Sequence, residues 1–333
     1  MHNVGTGFAT VGKGHRMPLT LVEMGPDDFV RRRAQLVASY AEAITTARAL
    51  TRAEAEAEAE RDVAGRLPRG PATRGQLLRK ALADGAEVGW IWLSLPGPAL
   101  PDTAWISDVE VDPPFRSRGY AGAIITAVEA ELVARRVPAI GLNVFGDNTT
   151  ARRLYERLGF EVTAEQRSRP LAEVPAAEGI DLVPMTDYES RIEALFADYA
   201  QDLVQERGLW HGEAEARAAR KLAELLPDGP QTDGMILRTV VARGVPVGWV
   251  WAGLPAPPRP GMGWLHNIEI DGPYRRRGYG RAAVTAVESE LARRGVRTMG
   301  LNVHGVNTGA RRLYDRLGYR LLAQQMAKHL AAR

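Results

Sequence analysis

A chain of 333 residues exceeds the usual single core of about 100–150 residues and suits two such domains. With 45% hydrophobic and 25% charged residues it is neither disordered nor fibrous, and the lack of any cysteine excludes disulfides, thiolate metal sites and a thiol nucleophile. The net charge of +3 comes from arginines interleaved with glutamates, as in "SELARRG", a pattern of solvated helix faces and not of a nucleic-acid stripe. No nucleic-acid partner is expected, and no membrane association, because charge breaks every apolar stretch short of a span.

Residues 1–18 have no continuous apolar core, so they read as a flexible tail without a secretory signal, and a cytoplasmic location is expected. Leu19–Glu23 reads as a first strand, and Pro26–Thr45 and Arg52–Ala64 as helices rich in Ala, Glu and Arg. Strands are expected at Gln76–Ala83, Glu87–Leu95 and Trp105–Val111, the last rich in β-branched residues. A turn bearing Gly and Arg then opens a helix over Gly119–Arg135. A strand at Ile140–Val144 and a helix at Thr149–Leu158, closed by Gly159, complete the unit before a last strand at Phe160.

The chain then repeats itself. Residues 88–160 align with 247–319 without a gap, and more than half of the aligned positions are identical. The fold class expected is α/β (α+β): a mixed central sheet flanked by helices, duplicated in tandem. The domains are expected at 19–167 and 178–333, joined by a short polar linker over 168–177. Tryptophans outnumber phenylalanines, and all but Trp210 recur at matched positions: Trp90, Trp92 and Trp105 against Trp249, Trp251 and Trp264. They read as core packing, or as an aromatic acceptor pocket or domain interface.

The strongest chemical signal is the turn after the fourth strand, "VEVDPPFRSRGYAGAI" in the first copy and "IEIDGPYRRRGYGRAA" in the second. Amide donors at a helix start, glycines permitting close approach and flanking arginines make a pyrophosphate cradle. It is neither a Walker loop nor the dinucleotide fingerprint.

The turn resembles the R/Q-x-x-G-x-G/A signature of the GNAT superfamily of N-acetyltransferases, as Arg116-x-x-Gly119-x-Ala121 and Arg275-x-x-Gly278-x-Gly280. A second family element also occurs twice, "LNVFGDNTTARRLYERLGF" and "LNVHGVNTGARRLYDRLGY". The resemblance implies acetyl-CoA as donor, with coenzyme A as product. It implies that the turns Arg116, Ser117, Arg118, Gly119, Tyr120, Ala121 and Arg275, Arg276, Arg277, Gly278, Tyr279, Gly280 hold the pyrophosphate. It assigns the pantetheine and acetyl group to main-chain groups of Val109, Glu110, Val111 and of Ile268, Glu269, Ile270. Asn148 and Asn307 would contact the coenzyme arm, and Tyr155 and Tyr314 would protonate the leaving sulfur.

The implied reaction is direct attack of an amine on the thioester, with no covalent enzyme intermediate. The base is left open. Glu110 and Glu269 match between copies, and a period of two places Asp108 and Asn267 on their face, each glutamate being either a base or a structural acceptor. His266 and His304 occur only in the second copy, where the first has Ser107 and Phe145. With its all-glycine turn, the second copy is expected to be the better catalyst. His211, His266 and His304 are too dispersed for a metal site, and none is expected. The acceptor is expected to be a primary amine of a small molecule or peptide, and the resemblance implies that the first two helices and a loop near the end of the sheet define it. The acidic run Glu54–Glu60 and the stretch from Gln205 are the candidates there, the former also reading as a solvent face. A coenzyme-binding regulatory or scaffold protein is the alternative, and monomer or homodimer the expected state.

Overall fold

The computed structural model describes residues 8–11, 15–48, 50–98, 100–172, 174, 178–207, 211–256 and 261–330. The segment expected as a loose tail contains two strands, β1 (Phe8–Val11) and β2 (His15–Pro18), paired antiparallel. Phe8, Thr10 and Val11 have the β-branched and aromatic character that favours such pairing.

The chain divides into two compact units, residues 1–163 with 323–333, which include β1 and β2, and residues 164–322. The first unit runs β3 (Thr20–Glu23), α1 (Pro26–Arg48), α2 (Arg52–Arg66), β4 (Gln76–Ala83), β5 (Ala86–Ser94), β6 (Thr103–Val111), α3 (Tyr120–Ala134), β7 (Ala139–Phe145) and α4 (Thr149–Arg157). After β8 (Glu161–Pro170), the second unit repeats the order: β9 (Asp181–Pro184), α5 (Tyr188–Arg207), α6 (His211–Leu225), β10 (Met235–Ala242), β11 (Val245–Gly253), β12 (Gly263–Ile270), α7 (Tyr279–Arg293), β13 (Thr298–His304), α8 (Thr308–Arg316) and finally β14 (Arg320–His329).

The last strand of each unit comes from the other repeat. In the first unit the sheet order is β3-β4-β5-β6-β7-β14, with β14 antiparallel to β7 from Ala323 to His329. In the second it is β9-β10-β11-β12-β13-β8, with β8 antiparallel to β13 from Ala164 to Pro170. Each sheet is antiparallel except for one parallel pair, β6/β7 or β12/β13. The compact units therefore depart from the boundaries of the sequence repeat. Residues 168–170, expected in the linker, are strand, and Arg169 pairs at 2.8 Å with the fully buried Glu288. The matching contact in the first unit joins Lys328 to Glu129 at 2.8 Å.

The alternation of β5 sorts its side chains to two faces. Ile91 and Leu93 join Ala123, Ile124, Val128 and Leu132 of α3 in one core. Trp90 and Trp92 pack on the other face with Phe29, Leu36, Val63 and Leu67 beneath α1 and α2. Trp249 and Trp251 do the same with Ile192 and Leu226 in the second unit. The third matched pair is explained by Gly141 and Gly300, where a Cβ would lie 2.7 Å from the Trp105 ring and 2.6 Å from the Trp264 ring. α2 starts with a capping box: Thr51 Oγ1 accepts from the Glu54 amide at 3.3 Å, and the Thr51 amide donates back to Glu54 at 2.8 Å. Ala55, Ala59 and Val63, four residues apart, form its buried face. The acidic run lies on the outer side, with Glu56 paired to Arg52 at 2.8 Å and Glu60 to Arg33, so it is a helix surface and not a cleft wall.

Candidate active site

The parallel ladder between β6 and β7 covers only Thr103–Ile106 against Ala139–Leu142. Beyond it Ser107–Val111 stays with β5 and Asn143–Phe145 with β14, but the two segments no longer pair with each other, and the sheet splays. The cause on the β5 side is a bulge: Trp92 pairs with Asp108 and Leu93 with Ile106, leaving Ser107 as the extra residue. β12 repeats this at His266, between Trp251↔Asn267 and Ala252↔Leu265, and pairs with β13 only as far as Leu265. The Asp112 amide bonds to Val88 O at 2.9 Å. By antiparallel alternation, the main-chain groups of Val109 and Val111 point away from β5, toward the splay. β5 and β6 approach closely just here, since a Cβ on Gly89 would fall 2.1 Å from the Glu110 carbonyl oxygen.

The turn that follows is tied down at its base. Arg32 of α1 bonds both carboxylate oxygens of Asp112, Nη2 to Oδ2 being 2.7 Å, and also Glu87 at 2.7 Å. Arg116 Nε donates to Val111 O at 3.0 Å, as Arg275 Nε does to Ile270 O at 2.7 Å. These arginines hold the strand end, a role the sequence reading did not foresee. Ser117 and Gly119 take φ of +61° and +87°, and Arg276 and Gly278 +64° and +89°. The first helical bond of α3 is Ala123 N to Gly119 O at 3.2 Å, so the preceding amides lack a helical acceptor. Open amides at a helix start, behind two left-handed residues, fit an anionic diphosphate. At Gly280 a Cβ would make only ordinary contact, 3.7 Å to Leu313, so the fold accommodates Ala121 at the matching position of the first unit. Tyr120 packs edge-on to Phe115 at 6.0 Å, and Arg118 lies 6.0 Å from that ring, as Arg277 does from Tyr274.

Asn148 and Asn307 precede α4 and α8. Each caps the following helix, Oδ1 accepting from Ala151 or Ala310 N at 3.0 Å, which leaves the amide NH₂ end available to a ligand.

A cleft of about 260 Å³ in the first unit gathers Asp108, Val109, Asn148 and Tyr155 with Ser39, Tyr40, Asp62, Arg66, Trp92 and Ser107. Asp108 is half-buried, and enclosure together with the nearby Glu110 pushes its carboxyl up to about 7, against the opposing hydrogen bond from the Val109 amide. Tyr155 is buried edge-on to Phe160 at 5.7 Å, and burial, with Asp108 adding to it, pushes its hydroxyl up to about 12. Tyr314 is placed alike against Tyr319 at 5.4 Å, and burial raises its hydroxyl to about 12.

Glu110 does not line this cleft. It accepts from Trp90 Nε1 at 3.3 Å and from Gln35, and Arg116 Nη2 is 3.6 Å away. Glu269 accepts from Trp249 Nε1 at 2.9 Å. Their identity in both copies thus coincides with one shared indole bond. His304 ends β13 at an exposed position, and His266 is stacked on Trp251 with centroids 4.6 Å apart. Asn267, the counterpart of Asp108, has a buried Nδ2 with no hydrogen-bond partner. The Gln205 stretch lies partly outside the described residues, at 208–210. Among the described residues no cluster of His, Asp or Glu could hold a metal ion, and no helix is long and apolar enough to cross a membrane.

A splayed mixed sheet with an amide-rich turn at the splay defines an N-acyltransferase fold. The chain is similar over 94% of its length to 96% of a solved GCN5-related N-acetyltransferase from Sphaerobacter thermophilus, with TM-score 0.54 and 21% identity. The model of the acetyltransferase (GNAT) family matches residues 42–160 and 194–319. The chain belongs to that family, twice over, and is an N-acyltransferase. It is 28% identical over 288 residues to mycothiol acetyltransferase of Amycolatopsis mediterranei, spanning 80% of this chain and 87% of that one. It is also 28% identical over 156 residues to the uncharacterized N-acetyltransferase YycN of Bacillus subtilis, spanning 46% of this chain and all of that protein.

Proposed function

We propose that the first unit is an acetyl-CoA-dependent N-acetyltransferase acting on a primary amine of a small molecule or peptide, with Asp108 as base and Tyr155 as acid. The observation that carries this is the pair itself. Both line one cleft at the splay, one with a carboxyl that titrates near neutral pH and one with a hydroxyl that keeps its proton there. Bound acetyl-CoA supplies an acyl thioester. Arg116–Ala121 receives the diphosphate on its open amides, and Asn148 and the main chain of Val109 and Val111 orient the arm. As the amine nitrogen bonds to the carbonyl carbon and the C–S bond breaks, Asp108 takes the proton from nitrogen and Tyr155 gives one to sulfur. The two residues return to their starting states by proton exchange with solvent.

The second unit keeps the turn, Asn307 and Tyr314 but has Asn267, which cannot accept a proton, in place of the aspartate. It is proposed to bind the coenzyme without matching the first unit's turnover, a reversal of the preference drawn from its glycines and histidines. Glu110 and Glu269 are assigned to fixing the indoles of Trp90 and Trp249. The test is release of free coenzyme thiol from acetyl-CoA, which the cysteine-free chain leaves without background. Amine-dependent release that is lost in Asp108→Asn and Tyr155→Phe is expected. No amine-dependent release, or release that survives both changes, contradicts the proposal.

A further inference from the structure

We infer that the amine accepted by the first unit also carries a carboxylate, as a free amino acid does, and that Arg66 is the residue that selects for it. The inference rests on the catalytic reading of the first unit and names its substrate class.

Arg66 closes α2, and its guanidinium lies over the Trp92 ring at 4.4 Å. It also donates to Ser107 Oγ, so both the stacking and the bulged strand fix its orientation. Its carboxylate neighbour Asp62 is 3.9 Å away, beyond hydrogen-bond reach, and the Arg66 side chain is 37% exposed. A planar fork held in place, with donors still open, is what a carboxylate binds in bidentate fashion. Ser107 is the residue next to Asp108, so the fork is anchored one position along the strand from the proposed base. All four residues, Arg66, Trp92, Ser107 and Asp108, line the same cleft. A ligand whose amine lies at Asp108 and whose anion lies at Arg66 satisfies both charges, whereas a polycation meets the guanidinium unfavourably.

The second unit shows that the fold does not need this arginine. Leu225 closes α6 where Arg66 closes α2, and the bulged residue His266, in place of Ser107, stacks on Trp251 at 4.6 Å. The coenzyme end is kept in both units, with Gly119/Gly278 at the turn, Asn148/Asn307 at the cap and Tyr155/Tyr314 on the helix. The two units therefore differ at this position of the acceptor end, with Arg66 in the first and Leu225 in the second.

The test compares kcat/KM for a panel of free α-amino acids, each set against its own decarboxylated amine, with acetyl-CoA and the full chain. The wild type is expected to prefer the amino acid at least ten-fold for the best pair. That preference should fall at least ten-fold in Arg66→Gln and in part only in Arg66→Lys. A purely structural Arg66 would depress both members of a pair alike and leave their ratio unchanged, which overturns the inference. So does a wild type that favours the decarboxylated amines. Acetylation of neither class also overturns the inference, whereas the catalytic reading falls only if no amine at all, peptides included, gives thiol release that depends on Asp108 and Tyr155.

Discussion

Arg32 holds Asp112 through both guanidinium nitrogens, Nη2 lying 2.7 Å from Oδ2, and Arg191 holds Asp271 likewise, with its Nη2 at 3.0 Å. The same clamp, from the first helix of the unit to the residue before the turn that leads into α3 or α7, is thus built into both units. Arg191 keeps the Asp271 carboxyl below its ordinary range. Removing one partner of such a half-buried pair leaves the other charge without compensation, at a cost of about 2–3 kcal/mol. Arg32→Ala is expected to lower the unfolding midpoint and to raise the KM for acetyl-CoA more than it lowers kcat. Thermal unfolding and initial rates check both.

The turn glycines and the strand glycines differ in what they tolerate. Gly278 has φ of +89° with open space around its would-be Cβ, so Gly278→Ala should cost only the left-handed strain, about 1–2 kcal/mol. Gly89→Ala places a Cβ 2.1 Å from a main-chain oxygen and should destabilise the first unit far more, because β5 and β6 must separate. Circular dichroism melts of the two variants check the ranking. Gly119→Trp and Gly278→Trp should each abolish one acetyl-CoA site in calorimetry.

The exchange of last strands makes a further prediction. A chain ending at Leu322 loses residues that the sequence repeat assigns to the second domain, yet β14 pairs along β7 in the first unit. Truncation is expected to abolish the first unit's thiol release and to lower its stability, while β8 still pairs with β13. Activity of the truncated chain equal to that of the full chain runs against this.

Much of this architecture was legible in the sequence, because local signals set it. The Gly119 turn, the helix starting at Tyr120 and Gly159 after α4 follow from glycine geometry and hydrophobic spacing. The strand exchange was not legible. The sequence repeat assigns each last strand to the copy it follows in the chain, whereas β8 pairs with β13 and β14 with β7, a long-range choice that no local signal carries. The period of two puts Asp108 on one face with Glu110, yet the surroundings of Asp108 depend on the bulge at Ser107 and on cleft walls from α1 and α2, which no local signal shows. The match of Glu110 with Glu269 drew attention to a pair whose carboxylates are occupied by indoles.

The proposed base, Asp108, also carries a prediction about stability. Its carboxyl binds a proton more tightly folded than unfolded, since its value rises from the ordinary 3.8 to about 7. Its contribution is therefore full below the unfolded value and is lost as pH climbs through about 7. Asp108→Asn, which never carries the charge, should gain stability relative to wild type between pH 4 and pH 8. Denaturation at the two pH values checks the sign.

The most direct test of Asp108 as the base is the pH dependence of kcat/KM for amine acetylation in wild type, Asp108→Asn and Asn267→Asp. The wild type should rise with pH to a plateau above about 7, and Asp108→Asn should fall by roughly a hundred-fold or more and lose that rise. An Asp108→Asn enzyme with the wild-type rate and profile would contradict the account and move the chemistry to the second unit.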